Sequence, residues 1–184
     1  ILIISSSIDL TNLSEKNEGD GPVNMEVLLQ NERKVMRKTV ENILNFHPDV
    51  IFVGNSVNRI ASELLKSQGI TLFVKVKTHL LRRIARMTKA KIVKSLKNIH
   101  RITDKNITGM CEKLYTKKLY YEGNSKDPTL LFLEGCNSEN GGTIAISGTS
   151  LEELASLKKA IKILLRLGRH IVLEHEVVFI EQQM

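Results

Sequence analysis

The sequence contains no tryptophan and only 4% aromatic residues, so its core must be built from isoleucine, leucine and valine. It also contains only three prolines. No apolar run approaches the roughly 20 residues that a membrane-spanning helix needs. The two cysteines, Cys111 and Cys136, form no CxxC pair, which favours reduced cytosolic thiols over a disulfide framework or a zinc site. With 42% hydrophobic and 26% charged residues, the composition predicts a globular domain. The chain opens on Ile1, and we expect it to be a fragment of a larger protein.

The motifs of common active sites are also missing. The five histidines include no HExxH pair, and the run Glu174–Glu176 places its histidine opposite its two glutamates if the run is a strand. The glycines at 19, 21, 141 and 142 precede no Lys-Ser/Thr of a P-loop, and no GxGxxG or GxSxG sequence is present. The sequence therefore predicts no catalytic residue, no metal site and no cofactor site.

The first half of the chain alternates between the strand and helix patterns. The predicted elements, in order, are a strand over Ile1–Ile4, a helix over Met25–Phe46 closed by Pro48, a strand over Asp49–Gly54, a helix over Val57–Ser67 capped by Ser56 and ended by Gly69, a strand over Ile70–Val76, and a helix capped by Thr78 with Leu80, Leu81, Ile84 and Ala85 inward. The polar stretch Thr11–Asn24 reads as an exposed loop. This order is a βαβ arrangement, which predicts parallel strands and an α/β fold.

The second half has a different pattern. It predicts a short strand at Ile92–Val93, a basic connection over Lys94–Thr108, two antiparallel strands over Cys111–Tyr121 and Thr129–Glu134, and a further strand over Thr143–Ile146. Ser150 and Glu153 form a capping box that starts a helix, and Gly168 is placed to end it. The last segment, Ile171–Ile180, fits either a strand or an extension. We place domain limits at 1–149 and 150–184.

A basic stretch is the most distinctive surface feature of a chain with net charge +7. Its members that we expect to contact a partner or an anionic surface are Arg82, Arg83, Arg86, Lys89, Lys91 and Lys94. An acidic protein or a phosphoinositide surface would be attracted to such a group. The alternative is an ordinary solvated helix face. Nucleic acid is not expected, because no aromatic residues interleave with these bases.

Several runs resemble one family in order along nearly the whole chain. They are His47–Val53, Ile60–Ile70, Leu81–Thr88, Phe132–Cys136, Gly142–Ile144 and Gly148. They resemble the substrate-binding apical domain of group II chaperonins such as CCT, with the helix from Ser150 as the returning intermediate-domain helix. Val74–Lys77, Ile84–Thr88 and the helix Leu28–Asn45 resemble more closely the chaperonin-like domain of phosphatidylinositol 3-phosphate 5-kinases, the PIKfyve family. Ser147 departs from both patterns, which usually have a basic residue before Gly148.

The resemblance implies a chaperonin apical-domain-like α/β fold and a non-catalytic, regulatory domain that binds the scaffold protein of the lipid kinase and phosphatase complex. It implies that ATP and magnesium act only in the kinase domain of the parent protein, and that this cytosolic parent works at endosomal or vacuolar membranes. A second interpretation is the substrate-binding domain of a folding chaperonin, and a third is a stand-alone phospholipid-binding module.

Overall fold

The computed structural model describes residues 1–9, 25–96, 99, 107–119, 129–148 and 150–181. The predicted loop Thr11–Asn24 and the predicted turn before Thr129 lie outside the described residues, as does most of the basic connection Lys94–Thr108. The chain divides into two compact units, Ile1–Gly142 and Thr143–Met184.

The first unit is built on a four-stranded parallel sheet. Its strands are β1 (Leu2–Ile4), β2 (Val50–Val53), β3 (Thr71–Phe73) and β4 (Ile92–Val93), and their order across the sheet is β3-β2-β1-β4. The registers pair Ile3 with Phe52 and with Ile92, and all three ladders are parallel. The predicted α/β class and parallel βαβ arrangement are confirmed.

Both faces of the sheet are covered, because alternate residues of its strands point to opposite sides. The helices α1 (Met25–Leu44) and α2 (Arg59–Ser67) share one apolar cluster with Leu2 and Ile4 of β1. The helix α3 (Thr78–Thr88) shares the other with Ile3 and Phe52. Continuous apolar runs in β1 and β2 are what such a doubly covered parallel sheet requires.

An antiparallel hairpin also packs on the α3 side of the sheet. Its strands β5 (Lys113–Lys118) and β6 (Thr129–Glu134) pair Leu114 with Leu133, and both side chains contact the second cluster. On its other face Tyr115 stacks on Phe132, with ring centroids 5.2 Å apart. The two predicted antiparallel strands are thus confirmed: β6 has the predicted limits, and β5 begins at Lys113 rather than at Cys111.

Two predicted helix caps are wrong. Asn58 caps α2, since its side chain accepts a hydrogen bond from the Ile60 amide at 2.9 Å, while the Ser56 hydroxyl donates to Asp9 at 2.7 Å. Val57 lies outside the helix because it forms a parallel bridge with Ile8. In α3, Thr78 is the first helical residue and Lys77 occupies the cap position without a side-chain hydrogen bond.

Some limits of the other elements also differ. Leu80 is 38% exposed rather than inward, whereas Leu81, Ile84 and Ala85 contact the core as predicted. Strand β3 ends at Phe73, and Lys75 then takes the left-handed conformation with φ 57°, which lies outside the extended conformation of a regular strand. The helix α1 ends at Leu44, two residues before its predicted end.

The second unit contains the long helix α4 (Leu151–Glu181). The Ser150 hydroxyl accepts a hydrogen bond from the Glu153 amide at 3.5 Å, as the capping-box pattern predicts. Two predictions fail here. Thr143–Ile146 forms no strand in the structure, since no described strand pairs with it, and Ile144 is exposed. The helix runs through Gly168, because an exposed glycine inside a helix costs only about 1 kcal/mol relative to alanine.

Candidate partner-binding surface

The helix α3 has a buried side and a basic side. Leu81 is 1% exposed, and Ile84 and Ala85 are half-buried against the same cluster. The three arginines of α3 are exposed together on the side away from the sheet: Arg82, Arg83 and Arg86. We call them the arginine face. No acidic residue lies within α3, so nothing on the helix itself neutralises their charge.

The C-terminal end of α3 is fixed by local hydrogen bonds. The Thr88 hydroxyl donates to the Ile84 carbonyl at 2.8 Å, and the Thr88 carbonyl accepts from the Met110 amide at 3.1 Å. Lys89 then takes the left-handed conformation, with φ 60°, and ends the helix. A basic residue in the last turn, here Arg86, is favourable beside the negative end of the helix dipole.

The three predicted lysines follow α3 in the chain: Lys89 and Lys91 lie between α3 and β4, and Lys94 comes directly after β4. Lys89, Lys91 and Lys94 all have exposed side chains. The Lys89 ammonium lies 3.9 Å from the Glu139 carboxylate, and both groups are mostly in solvent. An exposed ion pair of this kind contributes little to stability. The structure therefore brings the three arginines onto one helix face and places the lysines beyond the end of that helix.

An open depression of about 750 Å3 lies beside the C-terminal end of α3. We call it the α3 depression. Its lining includes Met87 and Lys89 from α3 and its end, Met110 before β5, and Cys136 and Asn140 after β6. The hydrophobic pattern of the sequence does not predict this depression, because its lining residues come from three separate stretches of the chain. The run Phe132–Cys136 stands out in the sequence only through its family resemblance.

The two cysteines behave as partly buried thiols. Burial raises the pKa of the Cys111 thiol, and it raises that of Cys136 as well, with a smaller contribution from the neighbouring Cys111. Both therefore hold their protons at neutral pH, which disfavours a nucleophile or a thiolate ligand. Both are free in the structure.

The described residues supply no alternative chemical site. Among them, no three histidine, cysteine, aspartate or glutamate side chains stand close enough to hold a metal ion. His170 pairs with Glu174 on the surface of α4 at 3.2 Å. Within the described ranges, no helix is both long and apolar enough to cross a membrane.

Comparison with known proteins places these features in context. The model of the TCP-1/cpn60 chaperonin family matches residues 1–179. The chain is 36% identical over 137 residues to the 1-phosphatidylinositol 3-phosphate 5-kinase FAB1 of Saccharomyces cerevisiae. That match covers 74% of this chain and 6% of the yeast protein. The chain is 34% identical over 148 residues to the human 1-phosphatidylinositol 3-phosphate 5-kinase, covering 80% of this chain and 7% of that protein. The chain thus spans less than a tenth of either kinase.

A solved structure shows the same fold. The open-state monomer of a group II chaperonin from Methanococcoides burtonii superposes with a TM-score of 0.61 over 90% of this chain and 33% of the chaperonin. The sequence identity in that match is 19%. The expected chaperonin-like fold is confirmed by this similarity, which at such identity concerns the fold alone.

Proposed function

We propose that this chain, which belongs to the TCP-1/cpn60 chaperonin family, is a non-catalytic, partner-binding domain of a phosphatidylinositol 3-phosphate 5-kinase. In this role the α/β unit presents the arginine face to a scaffold protein of the kinase complex. The transfer of phosphate, with its ATP and magnesium, belongs to a separate part of the parent polypeptide. The parent then works in the cytosol, at endosomal or vacuolar membranes.

One observation carries this proposal. The chain is 34–36% identical to the yeast and human lipid kinases but 19% identical to the chaperonin that shares its fold. The exposed charges of α3 supply the binding role, since Arg82, Arg83 and Arg86 point away from the core. A positively charged surface raises the association rate of an acidic partner and disfavours the binding of basic partners.

The fold match also supports a second candidate, the substrate-binding domain of a folding chaperonin. Client binding there depends on apolar surface, so it should persist at high ionic strength. Binding through the arginine face should instead fall steeply as salt rises, since exposed charges are screened over about 8 Å at physiological ionic strength.

The size of the native polypeptide separates the two. An antibody against this chain, used on a denaturing blot of the source cells, should detect a protein several times the mass of a chaperonin subunit. A band of ordinary chaperonin-subunit size would overturn the kinase assignment.

The binding role has its own test. We expect the triple charge reversal Arg82→Glu, Arg83→Glu and Arg86→Glu in the full parent protein to release the co-precipitating scaffold. The matched control reverses three exposed lysines on α4, namely Lys158, Lys159 and Lys162. The control changes net charge by the same amount. Equal recovery of the scaffold with both variants would exclude the arginine face. Vesicles of neutral and anionic lipid, used in parallel, distinguish a membrane from a protein partner.

A further inference from the structure

Met110, which lines the α3 depression, is an exposed apolar residue whose backbone is fixed by hydrogen bonds. The Met110 amide donates to the Thr88 carbonyl at 3.1 Å, and the preceding Gly109 amide donates to the Ile1 carbonyl at 2.8 Å. The backbone of Gly109 and Met110 is thus anchored to the end of α3 and to the residue before β1. The Met110 side chain is nevertheless 85% exposed. Met87 also lines the depression, so two flexible thioether side chains border it. Methionine pairs of this kind adapt to apolar groups of varied shape.

The wall opposite α3 is also held in place. Gly135 has φ 70°, and a Cβ atom at that position would overlap the side chain of Glu112. The Asn140 side-chain amide donates to the Met87 carbonyl at 3.4 Å, which ties this wall to the end of α3. A depression whose opposite sides are joined in this way exists before any ligand arrives. Its volume of about 750 Å3 is within the range of ligand sites, roughly 300–1,000 Å3.

The charges around the depression are unequally placed. The arginine face adjoins it through Arg86, since a Cβ at Gly141, the residue after Asn140, would lie 4.0 Å from the Arg86 guanidinium. On the other side, Glu112 lines the depression, and Glu139 is paired with Lys89. An acidic group placed inside would therefore meet Glu112. Acidic groups placed toward α3 would instead meet arginines that have no acidic neighbour on their helix.

We propose that the α3 depression receives one large apolar side chain of a partner peptide whose flanking acidic residues contact the arginine face. This inference rests on the proposed partner-binding function and specifies the chemistry of the bound segment. The apolar side chain lies between Met87 and Met110, and the acidic residues extend along α3. An apolar centre with a polar rim is the usual arrangement of a protein–protein interface.

The chain permits a direct test because it has only five methionines. The probe is a twelve-residue synthetic peptide with one central leucine and aspartate or glutamate on both sides. With methionine labelled at its methyl carbon, we expect the peptide to shift the NMR signals of Met87 and Met110 in a saturable manner. The signal of Met36, which is fully buried in the other cluster, serves as the internal control and should not move.

Variants of protein and peptide separate the anchor from the charges. By fluorescence anisotropy we expect Met110→Ser to weaken peptide binding at least fivefold, and Leu80→Ser, a similar change at another exposed apolar residue of the same unit, to leave it within twofold. Replacing the central leucine of the peptide with serine should produce the same loss as Met110→Ser. Glu112→Gln should leave binding equal or tighter.

Each contrary result identifies which idea fails. If the leucine and serine peptides bind equally while reversal of the arginine face still abolishes binding, the apolar anchor is wrong and the proposed function survives. If Met87 and Met110 respond to the peptide but reversal of the arginine face has no effect, the charge contact proposed above is wrong. Absence of saturable binding by either peptide, or a response to anionic vesicles alone, overturns the inference.

Discussion

Leu81 attaches the arginine-bearing helix to the sheet, and replacing it tests that attachment. Its side chain is 1% exposed and belongs to the cluster of Ile3 and Phe52. The packing is tight here, since a Cβ at Gly54 would lie 3.2 Å from the Leu81 Cδ1 atom. Leu81→Ala removes three carbon atoms, worth about 2.4 kcal/mol at about 0.8 kcal/mol each. The cavity adds to this, so we expect the free energy of unfolding to fall by about 3–4 kcal/mol.

The neighbouring leucine provides a matched control. Leu80 lies on the same helix but is 38% exposed, so Leu80→Ala should lower the free energy of unfolding by about 1 kcal/mol or less. Urea unfolding followed by tyrosine fluorescence suits the measurement. The chain has no tryptophan, and its three tyrosines all lie in Ile1–Gly142, so the signal reports the first unit. Equal losses in the two variants would refute the packing described for α3.

Three further predictions concern single interactions in the same unit. Gly54→Ala should lower the free energy of unfolding by about 1–3 kcal/mol, because the new Cβ would stand 2.7 Å from the Ser5 carbonyl oxygen; an unchanged urea midpoint would contradict this close approach. Asn58→Ala should cost about 1 kcal/mol in the same assay and more than Ser56→Ala, since Asn58 caps α2; the reverse order would restore Ser56 as the cap. The hydrogen bond to Glu134 raises the pKa of the Tyr115 hydroxyl. The stability that this bond contributes is therefore complete below the unfolded tyrosine pKa of about 10 and is lost as pH rises through the higher folded pKa. Glu134→Gln should lower the midpoint of the tyrosine titration seen by ultraviolet absorbance, and an unchanged midpoint would argue against the bond.

The fold was predictable where local pattern and tertiary packing agree. The segments Ile1–Ile4 and Asp49–Gly54 each contain a short, continuous apolar run, and such runs are typical of strands that are covered on both faces. The helix over Met36, Val40 and Ile43 was predictable for a similar reason, since its apolar residues recur at helical spacing and all three are buried. The order of the strands across the sheet does not follow from pattern, because spacing along the chain does not say which strands become neighbours.

The wrong predictions share a physical cause. Ser56 and Asn58 are both good capping residues, and only the bridge between Ile8 and Val57 decides that the helix begins later. Thr143–Ile146 has strand propensity, but a strand also requires a partner, which local sequence does not contain. The α3 depression is a stronger case of the same effect. Met87, Met110 and Cys136 each look unremarkable locally, and the site exists through their proximity.

Stability and partner binding use different residues of α3, and this makes the binding tests decisive. Leu81 is buried in the cluster that attaches α3 to the sheet, while the three arginines of the arginine face are exposed. Reversing the charge of exposed side chains usually changes stability by about 0.5 kcal/mol or less for each residue. The triple reversal should therefore lower the free energy of unfolding by only about 1.5 kcal/mol, with a further modest loss because Arg86→Glu places a negative charge at the negative end of the helix dipole, and the variant remains folded without urea. A loss of partner binding in that variant then reflects a lost contact, because the helix that presents the contact remains in place.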